Sequence, residues 1–156
     1  MKFNKNGNLI WKKTFGTKGG EVIWDSEIDN EGNYVLSGTS TLSESGTSAT
    51  IIKIDKKGRL LHTKFFKDFQ YSSAKNIIKT SNDTFTVIGR SGKISGHREN
   101  KLLMLNLKKN SRLESSRIVS KPVGIEGKTG IEIKEGVLLV SGTTNQGNIY
   151  TLKIIN

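Results

Sequence analysis

The chain has 156 residues, which is the size of one domain and enough to bury a core. It contains no cysteine, which excludes a disulfide framework and any metal site built from thiolates. The formal net charge of +11 is unevenly spread along the sequence. Residues 1–50 contain 5 Lys/Arg and 6 Asp/Glu, residues 51–100 contain 11 Lys/Arg and 4 Asp/Glu, and residues 101–156 contain 9 Lys/Arg and 4 Asp/Glu. Such a balance suits nucleic acid, anionic lipid or acidic glycans, or solvated strand faces rich in lysine.

The first residues do not resemble a signal peptide. Met1 to Asn6 lacks an apolar core, and the later apolar runs are too short to span a bilayer. The sequence therefore predicts no transmembrane segment. Two interpretations stay open for localisation: a cytoplasmic protein, or a piece of a longer protein at the cell surface or secreted.

In chain order, short segments rich in β-branched and aromatic residues alternate with turns. The turns combine Asp, Asn and Gly, as in Asp29 to Gly32, because Asp and Asn bond their own backbone and Gly accepts a positive φ. No window of twelve or more residues has a helical period, so we expect no helix. The predicted strands are 9–15, 21–28, 33–39, 49–54, 60–66, 73–79, 84–89, 101–107, 113–119, 129–134, 136–142 and 148–155.

A repeat of about 50 residues organises these strands. The stretch from Phe3 to Phe15 returns from Ile54 to Phe66 and, more faintly, from Leu107 to Leu113, at offsets of 51 and 53 residues. Four strands per unit and a fixed period are the sequence signature of a β-propeller. The prediction is one all-β, propeller-like domain over residues 1–156, with units at 1–53, 54–106 and 107–156. The register follows from a glycine that ends the third strand of each unit, at Gly38, Gly89 and Gly142.

The repeat resembles the β-propeller repeats of bacterial surface proteins and, more distantly, those of pyrroloquinoline-quinone-type propellers. The first copy carries the resemblance through Asn4, Gly7, Trp11, Gly32, Tyr34 and Gly38. The later copies depart from it at His62, Asp83, Ser111 and Ser115. The resemblance implies that the strands starting near Glu21, Ser72 and Lys128 are innermost, and those starting near Asn8, Arg59 and Arg112 outermost. It implies an architecture and no chemistry, because propellers host many unrelated functions.

Three predicted blades leave open how the propeller ring would be completed. Three blades are too few for a ring, and in such folds the first segment commonly completes the last blade. We therefore expect the strand over residues 8–15 to pair with Asn148 to Ile155, in this chain or in another. Either two chains form one six-bladed ring, or further blades belong to a longer chain.

No residue pattern predicts catalysis, a metal or a cofactor. His62 and His97 each stand without a second ligand at suitable spacing. The sequence has no Gly-x-Ser-x-Gly elbow and no phosphate-binding glycine loop. The segment from Asp29 to Gly32 lacks the alternating carboxylates of a calcium loop and is better interpreted as a turn.

Five residues on the predicted inner strands are the candidates for ligand binding. Trp24 stands beside Glu21 and Asp25, a combination that stacks on a sugar ring and bonds its hydroxyls, unless Trp24 only packs between blades. Lys75 and Lys128 hold the matching places in the other two units, which predicts a channel of mixed charge.

The sequence favours a non-enzymatic scaffold or interaction module that binds protein or glycan through its blade loops. A polysaccharide hydrolase or lyase is an alternative, which requires two converging carboxylates. Binding of anionic polymers through the basic second and third units is another. Nucleic acid is disfavoured because the lysines and arginines are scattered and not interleaved with aromatic residues.

Overall fold

A computed structural model describes residues 1–42, 46–69, 71–92, 100–120 and 124–155. The described residues form only strands and turns, so the prediction of an all-β chain is confirmed. No helix among them is long and apolar enough to cross a membrane. The strands are β1 Lys2–Phe3, β2 Leu9–Trp11, β3 Glu21–Ile28, β4 Tyr34–Thr41, β5 Thr47–Ile54, β6 Leu60–Phe65, β7 Ser73–Lys79, β8 Phe85–Ser91, β9 Lys101–Leu107, β10 Leu113–Val119, β11 Ile125–Lys134, β12 Val137–Thr144 and β13 Ile149–Ile155.

These strands form four antiparallel sheets. A two-stranded hairpin, β1-β2, opens the chain, and the first sheet follows in the order β3-β4-β5-β6. The second sheet has the order β7-β8-β9-β10, and the third has three strands, β11-β12-β13. Neighbours in sequence are therefore neighbours in space, as the short connections predict.

The turns between strands use the residues that the repeat places there. Gly32, between β3 and β4, has a φ of +80°, and Asp29 accepts hydrogen bonds from the backbone N–H groups of Glu31 and Asn33. At the equivalent turn of the second copy, Asp83 takes the same left-handed conformation with a φ of +56°. Ser111 does so with a φ of +62° at a second turn, where the first two copies have Gly7 and Gly58. The turn geometry thus persists at a conformational cost, since only glycine adopts this region freely.

Two apolar cores lie between consecutive sheets. The first joins Val35 and Ile51 of the first sheet to the second sheet, and the second joins Ile88 and Met104 of the second sheet to the third. The first strand of each later sheet makes these contacts: β7 lies against β3, β4 and β5, and β11 lies against β7, β8 and β9. Of the three middle strands, β8 has a core on each face, with Phe85 and Val87 in the first core and Ile88 in the second, which explains its continuous apolar run. The buried partners are Ala74, Ile77, Phe85, Val87, Leu103, Leu105 and Leu107 in the second sheet, and Ile125, Leu138, Val140 and Ile154 in the third.

The pairing expected between residues 8–15 and Asn148 to Ile155 is not formed within the chain. The strand β2 ends at Trp11 and pairs with β1, while among the described strands β13 pairs with β12 alone. A hairpin between β1 and β2 closes a loop of five residues, which costs far less chain entropy than pairing across the whole chain. The same pairing between two copies stays a prediction.

Candidate functional site

A β-bulge marks the same position on the first strand of each sheet. Trp24 is the extra residue of β3, between the pairs Ile23–Gly38 and Asp25–Ser37. Lys75 is the extra residue of β7, and Lys128 is that of β11. A bulge leaves one residue outside the ladder and turns its side chain away from the regular alternation. The three residues matched by the repeat are therefore also matched by local geometry.

Trp24 and Lys75 are in direct contact. The Lys75 Nζ lies 3.3 Å from the centroid of the Trp24 ring, which is a cation–π contact. The Trp24 Nε1 donates a hydrogen bond of 3.0 Å to Thr39 Oγ1. Trp24 nevertheless keeps 48% of its surface exposed. Trp24 therefore packs against the second sheet through Lys75 and also presents part of its ring to solvent.

Lys128 belongs to an ion-paired group beside this contact. Its Nζ pairs with Glu126 Oε1, and the Arg90 Nε lies 3.6 Å from Glu126 Oε2. Arg90 also donates from Nη1 to Asn100 Oδ1 over 3.3 Å. We call Trp24, Lys75, Arg90, Glu126 and Lys128 the basic cluster.

The cluster holds more positive charge than its one carboxylate neutralises. Burial lowers the pKa of the Lys75 ammonium, the positive charges of Lys128 and Arg90 lower it further, and Glu126 offsets part of this effect. The pKa of Lys75 is therefore below that of an ordinary lysine. A bound anion would relieve this repulsion, since opposite charge favours the protonated form.

A tyrosine hydroxyl lies within the electrostatic field of the same carboxylate. Burial and the charge of Glu126 raise the pKa of Tyr150 to about 12, so its hydroxyl stays protonated at neutral pH. The Tyr150 Oη is buried and has no hydrogen-bond partner within the described part of the chain. A buried hydroxyl without a partner is costly and is a donor available to a ligand or water.

Two of the predicted ligand residues are engaged elsewhere. Asp25 Oδ2 accepts hydrogen bonds from Asn76 Nδ2 at 2.5 Å and from the backbone N–H of Ile77 at 3.1 Å, which ties the first sheet to the second. Glu21 accepts hydrogen bonds from the backbone N–H and the hydroxyl of Thr17. It lines a cavity of about 500 Å³ below the β1-β2 hairpin. The structure thus brings together Trp24, Lys75 and Lys128 and leaves Glu21 and Asp25 outside their group.

The Asp25 contact has a counterpart between the next two sheets. Asn76, which holds the position of Asp25 in the second unit, accepts a hydrogen bond of 2.9 Å at Oδ1 from the backbone N–H of Gly130. Each polar side chain therefore bonds the backbone of the following sheet. This repetition indicates a structural role for the position.

Sequence reasoning missed Arg90 and Glu126. Arg90 directly follows the repeated glycine at the end of β8, and the register Glu126–Thr143 places Glu126 beside the corresponding position of the third sheet. The available signal was a charged residue at a place where the other two units have threonine, Thr39 and Thr143.

The histidines do not form a site within the described part of the chain. His62 lines a second cavity, of about 550 Å³, between the outer strands β6 and β10. Burial lowers the pKa of His62, and the charges of Lys53 and Arg112 lower it further. His97 lies outside the described residues. Among those described, no group of three or more His, Cys, Asp or Glu residues is placed to hold a metal ion.

The chain matches no protein-family model, and a search of curated proteins finds no significant similarity.

Proposed function

We propose that the protein is a non-enzymatic β-propeller-type repeat module that binds an acidic glycan at the basic cluster. The propeller architecture is supported by the repeat and by sheets that stack through their first strands, as blades do. A setting at a bacterial cell surface, or in a secreted protein, rests on the resemblance alone.

One observation carries the proposal: Lys75 and Lys128 converge with Arg90 around a single carboxylate. Holding like charges together in a partly buried place destabilises the free protein and is relieved by an anionic group. A uronate or a sulfated sugar supplies that group. It also offers the face of a sugar ring to the exposed part of Trp24.

The enzymatic alternative has less support in the geometry. General acid–base cleavage of a glycoside needs two carboxyl groups flanking the bond. Asp25 is held in the contact between two sheets, and Glu126 is paired with Lys128 and Arg90. Both carboxylates thus have partners that any substrate would need to displace.

Titration calorimetry that measures the affinity of the protein for a soluble polyuronate tests the proposal. We expect Lys75→Gln and Lys128→Gln each to weaken binding about tenfold, which corresponds to about 1.4 kcal/mol for one charge-assisted contact. Lys64→Gln removes one positive charge from an exposed site on the outer strand β6 and serves as the matched control.

The salt dependence and a competing polymer separate the outcomes. Affinity for the polyuronate should fall as salt rises, because cations of the protein replace the counterions of the polymer. Equal losses in Lys64→Gln and Lys75→Gln would show diffuse attraction and overturn the assignment of the cluster. Tighter binding of double-stranded DNA than of the polyuronate at equal salt would favour the nucleic-acid alternative instead.

A further inference from the structure

One packing position is buried in two sheets and exposed in the third. The position is held by Ala49 on β5, Leu102 on β9 and Ile149 on β13, whose partners on the neighbouring strands are Thr39, Arg90 and Thr143. Ala49 and Leu102 are each 0% exposed and belong to the cores shared with the next sheet, whereas Ile149 is 83% exposed. The third sheet therefore presents a face that its two predecessors bury.

The first sheet presents the complementary face. Ala74 on β7, which is 0% exposed, lies in the core that the second sheet shares with the first. Its equivalent on β3 is Ile23, since Ala74 pairs with Gly89 and Ile23 with Gly38. Ile23 is 43% exposed and lines the cavity of about 500 Å³. The two ends of the stack thus carry the two halves of an interface that is formed twice inside the chain.

The strand β2 already lies where an outer strand of a preceding sheet would lie. Trp11 contacts Tyr34 edge-on with ring centroids 6.3 Å apart, and its ring also lies against the turn at Gly58. One unit later, His62 on the outer strand β6 lines a cavity together with the turn residue Ser111. Trp11 and Gly58 are the repeat equivalents of His62 and Ser111, so the two arrangements correspond.

The third sheet lacks the strand that β2 represents. In the first two sheets an outer strand, β6 or β10, flanks β5 or β9, whereas the outer edge of β13 has no strand beside it in the described part of the chain. The strand β1 occupies the place beside β2 that β13 of another sheet would take. Lys2 on β1 pairs with Trp11 as Lys53 on β5 pairs with His62. The repeat equivalent of Lys53 on β13 is Lys153. Because β1 has only two residues, little pairing is lost when a longer strand replaces it.

We propose that the occupant of this end is a second copy of the chain. Its third sheet enters the cavity with Ile149 towards the first sheet, and its β13 replaces β1 beside β2. The contact is heterologous, and two such contacts related by a two-fold axis close a ring of six sheets. A second copy offers both halves of this interface, because each face already packs against its counterpart inside the same chain.

The register of the new strand pair follows from the first sheet. Ile51 on β5 pairs with Lys64 on β6, and the repeat equivalents are Thr151 on β13 and Lys13 beside β2. Opposed residues on antiparallel strands have Cβ atoms about 5 Å apart, close to disulfide geometry, whereas diagonal neighbours are about 7–8 Å apart. Because the chain has no cysteine, introduced pairs report on this register alone.

Disulfide formation tests the register. Lys13→Cys combined with Thr151→Cys should give a covalent dimer under mild oxidation that returns to single chains on reduction. Lys13→Cys combined with Lys153→Cys is two residues out of register and should cross-link at least tenfold more slowly. Equal rates for the two pairs, or a disulfide formed within one chain, overturn the proposal.

The mass in solution tests the interface independently of disulfide formation. We expect the wild type to reach twice its chain mass of 17.2 kDa as concentration rises, measured by light scattering after size exclusion. Ile149→Glu should weaken this association at least tenfold. Ile118→Glu, at an exposed position on β10, is the matched control and should leave it unchanged. A monomeric wild type at millimolar concentration, or an equal loss in both variants, refutes the second copy as occupant.

Discussion

Replacement of Asp25 by alanine separates its structural role from the ligand-binding role that the sequence suggests. Asp25 accepts hydrogen bonds from Asn76 Nδ2, from the Ile77 N–H and from the exposed N–H of Ser26. In the alanine variant, water can accept the hydrogen bond of the exposed Ser26 N–H. The donors of Asn76 and Ile77 lie between the two sheets and would lose their acceptor. Each donor left without a partner costs about 1–2 kcal/mol at a partly buried place. We expect Asp25→Ala to lower the free energy of unfolding by about 2–4 kcal/mol.

Urea denaturation measures this loss as a lower midpoint with an unchanged slope. Glu27→Ala removes a carboxylate from the same strand, where it makes no hydrogen bond or ion pair within the described chain, and should change stability by less than about 0.5 kcal/mol. Asp25→Asn keeps one acceptor oxygen and should lie between the two. The reasoning fails if Asp25→Ala is as stable as Glu27→Ala. Weaker binding of polyuronate at unchanged stability would restore Asp25 as a ligand residue.

Three further changes test the packing and the charges. Burial raises the pKa of Asp29, but hydrogen bonds from Lys53 and Asn33 lower it to below 3.8 overall, so this stabilisation should be lost as pH falls through the lowered pKa. Asp29→Asn should cost about 3 kcal/mol at pH 7, because it leaves the Lys53 ammonium buried without its counter-ion, and chemical denaturation across pH 2–7 checks both statements. Gly127→Ala should lower the thermal stability by about 1–3 kcal/mol, since a Cβ there meets the side chains of Ile88 and Leu102. Gly20→Ala, whose Cβ would make only an ordinary van der Waals contact with Thr41 Oγ1, is the calorimetric control. Lys75→Met should change the unfolding free energy by less than about 1 kcal/mol while it abolishes most polyuronate binding, because the lost cation–π contact is offset by relief of repulsion. The lowered pKa of Lys75 also means that the wild type should gain stability relative to Lys75→Met as pH rises towards 10.5.

The strands were predictable because the signal for each lies within a few consecutive residues. The alternation of β-branched segments with Asp, Asn and Gly turns gave the four strands of each unit, and the glycine offsets gave their register. The prediction for β2 was too long: residues 12–15 have strand composition but pair with none of the described strands, so the ladder ends at Trp11. Composition indicates that a segment suits a sheet, whereas pairing requires a partner.

The candidate site was predictable only in part. The repeat alone matched Trp24 with Lys75 and Lys128, and these three are the residues that the structure brings together. The bulge was not readable from the sequence, and it decides which of Trp24 and Asp25 leaves the regular alternation. Arg90 and Glu126 come from different sheets, so their ion pair depends on how the sheets stack.

The first two units are alike in the contact made at one position of the first strand and differ at the position before it. At the position of Asp25 and Asn76, the same contact to the next backbone recurs, because the packing of sheets requires a polar acceptor there. At the bulge position, one residue earlier, the chain carries Trp24, Lys75 and Lys128, and no such contact constrains the choice. A bulge residue that makes no such bond to the next backbone would ordinarily have a small or solvated side chain. Instead, the bulge position holds an indole and two ammonium groups, one of which has a lowered pKa because it is buried beside like charges. That arrangement costs stability in the free protein, and an anionic ligand is the simplest means to recover it.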